Sequence, residues 1–349
     1  MKSLNKILPL AFLCLGLSSC LDEEDPLTSR DTETSPNLIE FYSEDPAEHP
    51  SAERIYTEVT KTFDIVPEET FDVTISYSGK DNAPEDIVVG IKVDEAALQA
   101  FNAKLIADAR EAAMAGIEDA EEAEEAADEA EAAVEIYDLM SVELYSFPNE
   151  ITIKKGERRA VLPVTVRPSL FNFAFKYGLP LTISSASHGV ISGNFSTTIY
   201  SIGAKNQYDG NYTVTATAPM VDVTSAALTG FYPLDADLVT TGPRSVKMFT
   251  HTYLGGLEGH PIKSGTANSY YGSFGPVFNM DEEGNVISVT NFYGQPAANG
   301  RAARLNPSGV NKFTINADGS KTLEVSYIMV QAGSDRTFFH EKWTFEGTR

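Results

Sequence analysis

Short runs of alternating apolar and polar residues, cut by Gly, Pro, Asn and Asp, recur along most of this 349-residue chain. A period of two puts one face of an extended segment in a core and the other in water. Residues 54–65, 70–77, 86–93, 151–153, 159–166, 179–185 and 195–202 follow this pattern and predict strands. Seven short strands, with no crossover helices between them, predict an antiparallel sandwich over residues 38–203. The polar stretch 203–210 (GAKNQYDG) is a linker signal.

Beyond the linker, strands are predicted at 212–218, 231–240, 245–251, 269–279, 286–293, 312–315, 322–331 and 336–345. Compact turn signals separate some of them, as in Asp281-Glu282-Glu283-Gly284-Asn285 and Asn316-Ala317-Asp318-Gly319-Ser320. Eight strands joined by hairpins predict an up-and-down barrel over 208–349, because closure removes exposed edges. The expected fold is therefore all-β: an immunoglobulin-like sandwich followed by an eight-stranded, lipocalin-like antiparallel barrel.

One stretch breaks the alternation. Residues 95–136 are rich in Ala and Glu, strong helix formers, with Leu98, Phe101, Leu105 and Ile106 grouped early. Farther on the stripe is Ala109, Ala112, Gly116, Ala120, Ala123, Ala127 and Ala130, a face that fits only a close-packed partner helix. A helical insertion results, turning at Gly116 as a hairpin or running on as one helix. Residues 94–135 carry fourteen Asp and Glu against Lys104 and Arg110, about half of the net charge of -24. Spacing for a calcium loop is missing, so the acidic face reads as solvated surface. The sign of the charge disfavours nucleic acid as a partner.

At the N-terminus, Lys2 and Lys6 precede an apolar run, Ile7 to Leu17, too short to span a bilayer. Ser18-Ser19-Cys20 follows, then Leu21-Asp22-Glu23-Glu24-Asp25. This arrangement resembles a bacterial lipoprotein signal (residues 1–19) cut before Cys20, which would carry acyl chains such as palmitate. The acidic residues after it resemble the surface-export signal of Bacteroidota lipoproteins. The resemblance implies lipid anchoring in the outer membrane, facing the exterior; the alternative is an ordinary secretory signal. Residues 20–37, rich in Asp, Glu, Thr, Ser and Pro, read as a disordered tether. Cys14 and Cys20 are the chain's two cysteines, so the folded part has no thiol for a disulfide, a metal site or a nucleophile.

Several landmarks resemble a recurrent Bacteroidota domain known as domain of unknown function 1735. They are Val93-Asp94, Phe101-Asn102, Ile151-Thr152-Ile153-Lys154-Lys155-Gly156-Glu157, Gly178 to Ala186 and Tyr200 to Asn206. The long Ala/Glu segment departs from that family. The second half is similar to its usual C-terminal companion at Leu238 to Gly242, Tyr270 to Phe274 and Asn306 to Asn311. The resemblance implies a non-catalytic surface lipoprotein of the SusE/SusF kind, binding extracellular glycan for a polysaccharide-utilisation system, beside a SusC/SusD-like uptake complex.

The same N-terminal domain also precedes chitinase-like enzymes, which need a (β/α) barrel of about 250 residues. Residues 208–349 are too short and read as strand. Asp235-Ala236-Asp237 places two carboxylates on one strand face, more simply a solvated pair. The five histidines lack metal-ligand spacing. An enzyme is not expected, and no metal or cofactor is called for. Glycan binding needs flat rings beside polar groups. Candidates are Tyr253, Tyr270, Tyr271, Phe292 and Tyr293, the last two within Asn291-Phe292-Tyr293-Gly294-Gln295, and Trp343. If Leu323, Val325, Tyr327 and Met329 face inward, then Phe339, Glu341, Trp343 and Phe345 do too. Trp343 then belongs more to the core than to a platform. Glu341, buried, needs a partner from Arg301 or Arg304. Adjacent Tyr270 and Tyr271 must face opposite ways. Two other functions compete with glycan binding: adhesion to a protein partner, and capture of a small apolar ligand in the barrel.

Overall fold

The computed structural model describes residues 36–43, 49–51, 55–251 and 255–349. The signal region, Cys20, nearly all of the 20–37 tether and Tyr253 lie outside the described residues.

The first unit begins with β1 (Leu38–Phe41), β2 (Thr57–Asp64), β3 (Glu69–Ser78) and β4 (Ile87–Val93). Two helices follow, α1 (Glu95–Met114) and α2 (Ala120–Ala133), then β5 (Asp138–Leu139), β6 (Tyr145–Ser146) and β7 (Glu150–Ile153). The unit closes with β8 (Arg159–Val166), β9 (Tyr177–Ala186), β10 (Val190–Ile191) and β11 (Thr197–Lys205). One sheet has the order β10-β1-β3-β8-β6 and the other β2-β11-β9-β4-β7, with β5 beside β9. The period of two explains their packing. Leu162, Val164 and Val166 of β8 are buried in one core with Leu179, Leu181 and Ile183 of β9 in the other sheet, whereas Val161 faces out. The expected all-antiparallel pairing does not hold. β2 runs parallel to β11, Thr57 opposite Thr198, and β1 parallel to β10. Strands this far apart in sequence are free of the hairpin constraint that enforces antiparallel pairing.

The Ala/Glu segment is a hairpin of two helices turning at Gly116, φ 83°. Asp94 caps α1 by accepting from the Ala97 N–H, and Asp119 caps α2 from Glu121 and Glu122. Leu98 and Phe101 seat the hairpin on the sandwich against Tyr137 and Ile199. Arg110 ties the helices together, reaching Glu124, Asp128 and Glu131 of α2.

The second unit contains β12 (Gly210–Ala216), β13 (Val221–Asp222), β14 (Leu228–Gly230), β15 (Leu234–Gly242) and β16 (Ser245–Thr250). Next come β17 (Pro261–Ser264), β18 (Ala267–Tyr270), β19 (Pro276–Met280), β20 (Val286–Asn291) and β21 (Arg301–Leu305). The last are β22 (Lys312–Ile315), β23 (Lys321–Gln331) and β24 (Ser334–Gly347). Eight form a nearly closed barrel in the order β20-β19-β16-β15-β12-β24-β23-β21. Two of the sequence expectations fail here. A turn through Ser273, φ 52°, divides the predicted 269–279 strand into β18 and β19. The eighth barrel strand is Arg301–Leu305, whereas Lys312–Ile315 pairs off the main path, with the start of β23. Arg and Ala give 301–305 a weak strand signal, yet its register places Ala303 inside against Met329.

The barrel's first and last strands, β12 and β24, are paired, so its seam lies mid-chain between β20 and β21. The Gln295 side chain spans that seam. Its oxygen accepts from the Asn291 and Ala303 N–H groups, each at 3.0 Å, and its NH2 donates to the Ala303 carbonyl. A side-chain amide thus stands where a ladder of backbone bonds would be.

Candidate functional site

The end of β20 is fixed by Asn291. Its oxygen accepts from the Gly275 N–H at 3.0 Å, and its NH2 donates to the carbonyls of Ser273 and Arg301. The Phe292 N–H donates to the Gly275 carbonyl at 2.8 Å. Gly275 is required by a close approach: a Cβ there would lie 2.4 Å from the Glu258 carbonyl oxygen. These contacts hold Ser273 to Gly275, with Glu258 packed against Gly275, at the end of β20.

Three aromatic side chains remain exposed there: Phe292 and Tyr293 at 41% each, and Tyr270 at 40%. The rings of Phe292 and Tyr293 pack edge to face, centroids 5.2 Å apart. Lys247 lies 4.3 Å from the Phe292 centroid and pairs with Glu258. Partial burial, with the nearby charges of Glu258 and Tyr270, pushes the Tyr293 phenol up from its ordinary value. The rim therefore combines flat apolar rings with phenols, a carboxylate and an ammonium. Flat rings beside polar groups are the chemistry that sugar recognition needs.

The other candidates are inside. Tyr271 is buried on the opposite face from Tyr270, as alternation requires, and donates to Asp222 at 2.5 Å. Arg336 and Thr337 also donate to Asp222. Burial opposes ionisation of Asp222, but hydrogen bonds from Thr224, Tyr271 and Thr337 outweigh it and hold the carboxyl well below its usual range. Trp343 is fully buried in the barrel core, so it offers no stacking face. Its indole donates to Glu341 Oε2 at 3.0 Å. Asn291 and Gln295, two amides of the predicted binding stretch, are occupied by the backbone contacts described above.

Glu341 is buried, as its place on β24 demands, but neither predicted arginine serves it. Arg301 bonds to Gln331 and Gly272, and Arg304 pairs with Asp335. His260 faces Glu341 Oε1, which also accepts from Tyr232 at 2.6 Å and Tyr327 at 3.1 Å. Burial raises the Glu341 pKa; the His260 ring and the surrounding donors outweigh that and leave the carboxyl below its ordinary value. Asp237 is also engaged, by Asn211 at 2.6 Å and His251 at 2.7 Å. Lys247 and Glu258 are the rim residues that sequence reasoning missed. Only the Gly-rich setting of Glu258, Gly255 to Gly259, marked it.

A family model describing an N-terminal domain matches residues 44–190. No curated protein matches the chain. Among solved structures, a Bacteroides ovatus protein of unknown function is similar at TM-score 0.51 and 11% identity, over 89% of this chain and 95% of its own. That likeness shows a shared fold across both units. A second Bacteroides ovatus protein of unknown function is similar at TM-score 0.48 and 12% identity, over 88% of this chain and 93% of its own. A Bacteroides thetaiotaomicron protein described as an auxiliary nutrient binding protein aligns at TM-score 0.42 and 14% identity, over 82% of this chain and 89% of its own.

Proposed function

We propose that the chain is a non-catalytic surface lipoprotein that binds extracellular glycan on the barrel rim. The observation that carries this reading is the exposure of Tyr270, Phe292 and Tyr293 together, beside Lys247 and Glu258. Aromatic surface left two-fifths exposed at one edge, as on Phe292 and Tyr293, is a surface a ligand gains by covering. In this reading Cys20 carries the lipid anchor in the outer membrane and the tether holds the folded units off it. The sandwich is immunoglobulin-like, the barrel is lipocalin-like, and the bound glycan passes to a neighbouring SusC/SusD-like uptake complex.

The test is affinity electrophoresis and calorimetry of the full mature chain against a panel of plant, microbial and host polysaccharides. Tyr293→Ala and Phe292→Ala are expected to weaken binding roughly ten-fold each, the scale of one lost aromatic contact. Retardation by no polysaccharide, or binding unmoved by both substitutions, overturns the reading.

A further inference from the structure

Resting on that reading, we infer that the ligand is an extended oligosaccharide running from the rim into the cleft between barrel and sandwich, not a single sugar held at the rim. Phe292 belongs to both places. Its ring packs on Tyr293 at the rim, and it also lines a cavity of about 620 Å³ between the two units. The facing wall is the 171–174 segment of the sandwich, with Asn172, Phe173 and Ala174. Phe173 and Ala174 in turn line a second cavity of about 520 Å³, where Phe175 stands half exposed, at 50%. Both are open grooves rather than enclosed pockets, a shape that suits a chain laid along the surface. Aromatic surfaces thus follow one another from Tyr270 and Tyr293 through Phe292 to Phe173 and Phe175, crossing from one unit to the other.

Polar groups between the rings define the chemistry. Asn172 accepts from the Ala174 N–H with its side-chain oxygen at 3.1 Å, leaving its NH2 without a protein partner among the described residues. Thr290 adds a hydroxyl to the same cavity. A lipid or an apolar protein ridge laid here would strip water from these groups and return no hydrogen bonds. A linear polyhydroxylated chain offers alternating ring faces and hydroxyls along its whole length. Each added sugar then gains a contact until the path is filled.

Calorimetry of the mature chain with linear β-glucan, xylan and mannan oligosaccharides, from disaccharides to octasaccharides, tests this. Affinity is expected to climb with length by roughly a hundred-fold in total, about ten-fold for each of the two cavities reached. Phe173→Ala and Phe175→Ala should each remove about ten-fold from the longest chains and leave disaccharides unchanged. Far-UV circular dichroism melts confirm that both variants fold; Phe175 alone, already half in water, suffices if Phe173→Ala does not. Binding that is independent of length, or unmoved by both cleft substitutions while Tyr293→Ala still weakens it, overturns the extended path and leaves the rim intact. Binding of no oligosaccharide at any length, together with no retardation by any polysaccharide, overturns the rim reading as well.

Discussion

Removing the Glu341 carboxylate is the sharpest test of how the barrel is held together. Four donors converge on it: Tyr232, Tyr327 and His260 at Oε1, and Trp343 at Oε2. Both His260 ring nitrogens face oxygen acceptors, Glu341 and the Pro261 carbonyl. Glu341→Ala leaves Tyr327 and Trp343 buried without an acceptor, leaves Tyr232 and His260 only each other at 3.2 Å, and opens a void beside Trp343. Each buried donor left without its acceptor costs about 1–3 kcal/mol, so two such groups and the void together cost roughly 3–5 kcal/mol. For a unit of this size that lowers its melting temperature by on the order of 10 °C. Glu341→Gln keeps the acceptor facing the phenols but turns an NH2 toward the indole or the imidazole, and costs about 1–3 kcal/mol. The assay is urea unfolding followed by Trp fluorescence. Trp343 is the chain's one tryptophan, so this signal reports the barrel alone.

The pH dependence carries a definite sign. The folded carboxyl sits below its ordinary value, so its contribution to stability is present above the unfolded pKa and is lost as pH falls through the folded one. The gap between wild type and Glu341→Gln should therefore be widest near neutrality and shrink on acidification. A Glu341→Ala barrel less than about 1 kcal/mol weaker than wild type, or a gap independent of pH, refutes the reasoning.

Two further outcomes follow from the fold. Gln295→Ala removes the bridge across the β20–β21 seam; about 1–3 kcal/mol of local stability should go with it, read as faster hydrogen exchange at the Asn291 and Ala303 amides. Arg110→Met should lower the helical circular dichroism signal of the α1–α2 hairpin, and added salt should erase the difference by screening the exposed Arg110 contacts in the native chain.

The helical insertion was legible because its causes are local, strong helix formers with Ala along one face and Gly116 as a candidate turn. The choice of a hairpin over one long helix, and Asp94 and Asp119 as its caps, came from the structure. Also legible were the inward direction of Glu341 and Trp343 and the opposition of Tyr270 and Tyr271, since a strand's alternation needs no knowledge of its neighbours. The acceptor side of that logic ended at the strand. Alternation showed that Glu341 needed a donor; it could not choose His260, 81 residues away, over Arg304. Arg301–Leu305 was missed as a strand for the same reason, its place being set by register against β23 rather than by its own composition.

Local pattern, set by backbone geometry and the cost of leaving apolar side chains in water, determined that this chain is built of strands with one helical insertion, and which faces turn inward. Long-range pairing decided the rest. It set the parallel pairing of β2 with β11, the seam plugged by Gln295, and the meeting of Lys247, Glu258, Tyr270 and Phe292 at one edge. Those residues are neighbours only because distant segments close on one another, and closure is a property of the assembled sheet.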